Sequence, residues 1–258
     1  MKYLTLFTTI LKQEFIVLRR YLFNTITSLS TIYILFLFIF FGARALGGGA
    51  PGFGATLDAI VVGFLVWTLA LFAYSEFAQG MVREAQEGTL EQLYMSSVGF
   101  IWVSLSRIVS SLSFMLMVNI VLLLVMMATT GRWLHLDVVS LLPLILLTLA
   151  GVYGIGFSMA GLALVFKRIE SFVGILQFAM VGFIAAPVDR FPALRYLPLA
   201  EGNRLIRRVM AEGLSIVELS TGDLLFLLIN SAFYFGGGLL LFNLLLKAAK
   251  NRGLLGHY

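Results

Sequence analysis

Residues 22–41 contain no charged side chain, and comparable apolar runs recur at about 57–79, 100–128, 138–166, 172–186 and 224–246. About 20 consecutive apolar residues suffice for a helix to cross roughly 30 Å of hydrocarbon. The runs lack strand-like alternation, so they read as helices rather than barrel strands. The 60% hydrophobic and 12% charged residues of the chain lie far from the roughly 45–50% and 25% of a soluble domain. The expected fold is an all-α integral membrane protein, a single transmembrane domain over 1–258 with six spans.

Charge and rare residues narrow the function classes. The net charge of +5 is spread over the ends of the apolar runs and forms no dense basic tract. It therefore points to membrane orientation and not to nucleic acid. The absence of cysteine excludes disulfides, thiolate metal sites and a cysteine nucleophile, and the only histidines are His135 and His257. Ala43-Arg44-Ala45 looks like a signal-peptidase site, but the segment before it is about twice the length of a signal peptide, so cleavage is not expected.

Residues 1–21 place Tyr3, Phe7, Ile10, Leu11, Phe15 and Leu18 at helical spacing. This is either an amphipathic helix in the interface or an extension of the first span. In the first span Asn24, Thr27, Ser28 and Thr31 fall at i, i+3, i+4 and i+7, one polar face. Such a face lines a path or a subunit seam, or its hydroxyls bond their own preceding turn. The first span is expected to close at Gly42 and the loop Gly47-Gly48-Gly49-Ala50-Pro51-Gly52, and Thr56 or Asp58 to cap the second. Small residues of the fourth run, among them Gly151, Gly154 and Gly161, suit close helix packing. Residues 200–212 set Arg204, Arg207 and Arg208 against Leu205, Ile206, Val209 and Met210, a second interfacial helix whose arginines either snorkel or meet an anion at the outer face. Asp223 is expected to cap the sixth span.

Basic residues set the orientation. Lys2, Lys12, Arg19, Arg20, Arg83, Lys167, Arg168, Lys247, Lys250 and Arg252 fall on one side, which is then cytoplasmic together with both termini. The last loop, with Arg190, Arg195 and the three arginines above, is an exception. It leaves the fifth run as a short span or a re-entrant hairpin.

Between the second and third runs lies residues 83–97, REAQEGTLEQLYMSS. Gly88 interrupts the helix continuing from the second span, and Thr89-Leu90-Glu91-Gln92 fits a capping box. Leu90, Leu93 and Tyr94 then share one side of a short helix. This is either a knob offered to a partner in water or a capped connection.

The segment 84–93, EAQEGTLEQL, placed after the second of six spans, resembles the coupling-helix region of type-2 exporter permeases, the membrane subunits of ATP-binding-cassette (ABC) transporters. The resemblance extends to the layout: an N-terminal elbow helix, six spans, a short fifth span and an outer-face helix before the sixth. It implies a multi-pass protein of the bacterial inner (plasma) membrane and pairing into a homodimer or heterodimer. It also implies a separate ATPase subunit contacted through Glu84, Glu87, Gly88, Thr89, Leu90, Glu91 and Leu93, with the elbow helix bracing it. The pathway would lie between the two copies, beside Asn24, Thr27, Ser28 and Thr31. The substrate expected is hydrophobic or amphipathic, moved outward. ATP and magnesium would be bound by the partner and no cofactor by this chain, which carries no Gly-x-x-x-x-Gly-Lys-Ser/Thr phosphate loop. The alternative is a secondary transporter or channel, which should carry ionisable residues deep in its spans. An intramembrane enzyme lacks a nucleophile–base pair or an HExxH motif here.

Overall fold

The computed structural model describes residues 19–47, 53–86, 100–166 and 170–251, with Lys12 and Ile16 besides; over 75–86 and 100–108, and at a few single positions, it is the backbone that is described. Among these residues every regular element is helical, because hydrocarbon offers backbone N–H and C=O groups no partner outside their own helix. The elements are α1 (Leu22–Gly47), α2 (Phe53–Gln86), α3 (Phe100–Thr130), α4 (Val138–Phe166), α5 (Glu170–Ile184), a 3-10 turn (Pro192–Tyr196), α6 (Ala200–Glu212) and α7 (Thr221–Asn251). Five of them, α1 to α4 and α7, are long and apolar enough to cross a membrane. The chain is a multi-pass membrane protein by that measure. α5 has 15 residues, about 22 Å of helix, short of the hydrocarbon thickness.

Several ends differ from those the sequence suggests, for a common reason. α1 runs through Gly42 and reaches Gly47, while α7 passes through Gly236, Gly237 and Gly238 as the expected 224–246 does. A glycine costs a helix about 1 kcal/mol in water, but in an apolar medium ending the helix there would strand backbone groups at a greater cost. α2 begins at Phe53, so Thr56 and Asp58 lie inside it rather than capping it. α7 begins at Thr221, which places Asp223 in its first turn, where a carboxylate still favours the positive end of the helix.

The chain divides into two compact units, 1–61 with 88–132 and 62–87 with 133–258. In the first, α3 buries Met115, Asn119, Leu122, Leu123, Met126 and Met127 along one face, and the Asn119 amide donates to the Met115 carbonyl at 3.0 Å. The beginning of α2 is held by Arg132, just after α3. Its Nε and Nη2 donate to the two Asp58 carboxylate oxygens at 2.6 Å each, and Nη2 also reaches the Gly54 carbonyl at 2.9 Å. The Asp58 hydrogen bond raises the pKa of the guanidinium. Asp58→Asn removes one charge of a fork-on-fork pair. It should cost about 1–2 kcal/mol, read as a lowered Tm of the purified protein, with Arg132→Lys intermediate because an ammonium cannot reproduce the fork.

In the second unit α4 and α7 run side by side in the same direction. Gly151 meets Ser231, Gly154 meets Tyr234 and Gly238, and Gly161 meets Phe242 and Leu245. A Cβ on Gly154 would collide with the Tyr234 carbonyl, and one on Gly238 with the Gly154 carbonyl, so the two backbones touch. Phe157 fills the space beside this seam, 5.8 Å from the Phe235 ring and 5.9 Å from that of Phe242. Gly154→Ala should separate the two helices at a cost of about 1–3 kcal/mol, whereas Gly174→Ala, which meets nothing within 4 Å, should leave Tm unchanged.

Because α4 and α7 are parallel, the segment between them must return to the end where α4 begins. α5 starts the return; its Tyr74 neighbour from α2 donates to the Val173 carbonyl at 2.9 Å. α6 completes it, antiparallel to the first half of α4. Gly202 sits against Thr148, and the Met210 carbonyl accepts the His135 N–H at 2.8 Å. The bounds of α6 match the expected 200–212. Its apolar face does not rest on lipid: Leu205, Ile206, Val209 and Met210 are buried, and the helix packs on α4.

Candidate functional site

The charged face of α6 is the most constructed part of the described chain. Glu201 stands in the first turn of α6, and its side chain is 0% exposed. A buried carboxylate requires paired charge and hydrogen bonds, and it has both. Arg204, one turn on, donates to Oε1 at 2.6 Å and to Oε2 at 3.1 Å, and Arg195 from the 3-10 turn donates to Oε1 at 3.2 Å. Both arginines also reach Asp223 in the first turn of α7, Arg195 at 3.0 Å and Arg204 at 2.8 Å. Three chain segments are thereby joined through two carboxylates.

The remaining charges form the margin of this network. Arg207 donates to Asp189 at 3.0 Å, and Arg204 stands 3.7 Å from the same carboxylate. Arg208 pairs more loosely, 3.6 Å from Glu212 and 3.9 Å from Asp223. Arg195, Arg204, Arg207 and Arg208 are thus matched by Asp189, Glu201, Glu212 and Asp223. Arg195 Nε has no acceptor among the described residues, and the guanidinium carbon lies 3.9 Å from the centre of the Phe226 ring, a cation–π contact. The Glu201 hydrogen bond holds the Arg204 guanidinium above its ordinary pKa, outweighing burial, with Asp223 adding to it. Arg204 therefore keeps its charge at any pH the protein meets.

The turn that leads from α6 to α7 is tied down as well. Gly213, at φ 73°, closes α6 in the left-handed conformation that glycine adopts without strain, and its N–H donates to the Val209 carbonyl at 3.1 Å. The Ser215 N–H and hydroxyl both donate to Glu218, at 2.6 and 2.8 Å. The backbone donor first, then the hydroxyl, lower the Glu218 pKa.

The three arginines expected at an outer-face anion contact are therefore together in space, on one helix, each facing acidic partners. The polar face of α1 is likewise placed as a face: Asn24, Thr27, Ser28 and Thr31 are all exposed. Thr27 donates to the Phe23 carbonyl at 2.8 Å and Thr31 to the Thr27 carbonyl at 2.9 Å, so these hydroxyl protons are spent within the helix. Of the coupling segment, Glu84 belongs to α2 by its backbone. Glu87, Gly88, Thr89, Leu90, Glu91 and Leu93 lie outside the described residues, as does almost all of the expected elbow helix. Among the described residues no group of three or more acidic or histidine side chains could hold a metal ion.

The two acids at the centre of the network, Glu201 and Asp223, are what a reading of the arginines alone overlooks. Only for Glu201 is there a local signal, its spacing at i, i+3 and i+7 with Arg204 and Arg208 on one helix face; Asp223 comes from another segment. No protein-family model and no curated protein matches the chain.

Proposed function

We propose that the chain is the membrane-spanning permease subunit of a type-2 ABC exporter, driven by ATP that a separate subunit hydrolyses. The observation that supports this most is the projection of α2. It is an unbroken helix of 34 residues, about 51 Å, against roughly 30 Å of hydrocarbon. The excess is about 20 Å, with the charged residues Arg83 and Glu84 at the far end of the helix, so the acidic sequence 87–93 that follows them would be open to a protein in water.

The parallel run of α4 and α7 is consistent with a six-crossing layout in which α5 and α6 together bring the chain back between them. In this reading both termini are cytoplasmic and the network around Glu201 is on the far side of the bacterial inner membrane. The permease works as a dimer, homomeric or heteromeric, and the cargo is a hydrophobic or amphipathic molecule exported from the cytoplasm or inner leaflet. ATP and magnesium are held by the partner, and this chain contributes no catalytic group.

The test is to tag the chain, solubilise it gently from its native membrane and identify stoichiometric partners by mass spectrometry. A soluble partner carrying a phosphate-loop ATPase motif is the expected result. Recovery of this chain alone, at a depth where a partner would register, overturns the reading in favour of a secondary transporter or channel.

A further inference from the structure

On α7, Phe226, Ile229, Asn230, Phe233 and Tyr234 recur at i, i+3, i+4, i+7 and i+8, one face of the helix. With Tyr196 of the 3-10 turn they line a cavity of about 320 Å³, within the range of small-molecule sites. Its wall is hydrocarbon in character. The Tyr234 hydroxyl donates to the Tyr196 carbonyl at 3.0 Å and the Asn230 amide to the Arg195 carbonyl at 3.5 Å, so the polar side chains spend their donors on backbone. Tyr196 meets Phe226 edge-on at 5.1 Å. Phe233 and Ile229 are 74% and 60% exposed, and on a membrane-spanning helix that exposure is to lipid.

The mouth of the groove is ionic. Asp223 lies one turn before Phe226, and around it stand Arg195, Arg204 and Arg208. Arg195 and Arg204 are engaged by buried or short pairs. Arg208 is not: its two carboxylate neighbours are at 3.6 and 3.9 Å, beyond hydrogen-bond distance, and its side chain is 31% exposed. It retains donors for an anion that arrives from the lipid side.

We propose that this groove seats one acyl chain of a phospholipid from the surrounding bilayer, with the lipid phosphate over Arg208. Lipid tails are as apolar as the groove, so burying the chain there brings no hydrophobic gain over leaving it in the bilayer. Retention then rests on the charge-assisted contact of the phosphate with the guanidinium, which fixes where the headgroup lies and lets the tail drop along α7. The inference requires that α7 cross the membrane, and it does not depend on transport or on an ATPase partner.

The full chain in nanodiscs of phosphatidylglycerol carrying a photoactivatable diazirine on one acyl chain tests this directly. Irradiation should label the peptides holding Tyr196 and residues 226–234 more densely than the exposed face of α1. In native mass spectrometry the purified protein should retain one phosphatidylglycerol per chain. Arg208→Gln, which removes the phosphate contact, should lower that retention about tenfold, which is about 1.4 kcal/mol, and Ile229→Trp, which fills the groove, should abolish the excess labelling of 226–234. Leu240→Trp, equally exposed on α7 but outside the groove, should leave it unchanged. Labelling of 226–234 no denser than that of α1 or undiminished by Ile229→Trp, retention unaffected by Arg208→Gln, or a retained amphiphile that is not a phospholipid would each overturn the proposal.

Discussion

If the chain is the proposed permease, replacing Leu90 and Leu93 together by aspartate is expected to abolish stimulation of the proposed ATPase partner while leaving the chain inserted and folded. On the proposed coupling helix the two leucines are one turn apart, so they enter a receiving cleft side by side. Burying each contributes roughly 1.5–3 kcal/mol. Losing both weakens the contact by about 3 kcal/mol or more, at least a hundredfold in affinity, before the cost of placing two carboxylates in an apolar cleft. The chain itself should tolerate the change, because the segment follows the charged end of α2, Arg83-Glu84-Ala85-Gln86, beyond the apolar run of about 57–79. The measurement is the ATPase rate of the complex with wild-type or doubly substituted permease, alongside the yield of permease in the membrane. Unchanged coupling would remove this segment from the mechanism and leave it as a connection between helices.

What hydropathy can see, it located. Length without charge is a property of each run by itself, and α4 spans the expected 138–166 because Asp137 stands before it, accepting the Val139 N–H at 3.1 Å and the Ser140 hydroxyl. Ends that depend on surroundings were harder. Gly42 is a turn signal in water, yet it continues a helix here. Asp58 has the residue type of a cap but is claimed by Arg132, a partner distant in sequence that no local pattern announces. The same holds for α6. Its amphipathic pattern and its bounds were legible, whereas the choice between lipid and α4 for its apolar face is settled by Gly202 fitting against Thr148. The arginines of that helix were legible as a cluster. Their partners were not, because Asp189 and Asp223 come from other segments and a single glutamate at position 201 looks solvated until three segments are seen to enclose it.

Glu201→Ala is expected to be strongly destabilising, by about 3 kcal/mol, the low end for breaking a buried pair, because it leaves two partly buried guanidinium groups without their shared carboxylate. Arg195 and Arg204 would retain Asp223 alone between them, and like charges that the carboxylate now separates would face each other. The loss should appear as a fall in Tm and in folded yield. Arg204→Ala should be costly for the converse reason, stranding Glu201 with the weaker Arg195 contact at 3.2 Å. The combination of the two discriminates between roles. If the network is structural, Glu201→Ala with Arg204→Ala should destabilise by clearly less than the sum of the single changes, since the second removes a charge that the first had stranded. Transport should then fall in step with folded protein for Arg204→Gln, Arg207→Gln and Arg208→Gln alike. Transport falling further than the folded yield for Arg207→Gln or Arg208→Gln, with Arg204→Gln tracking yield, would divide the cluster. The guanidinium that shares the buried carboxylate would then be a strut, and those at the margin, whose acidic partners are half-exposed or distant, would be the ones an anionic cargo meets.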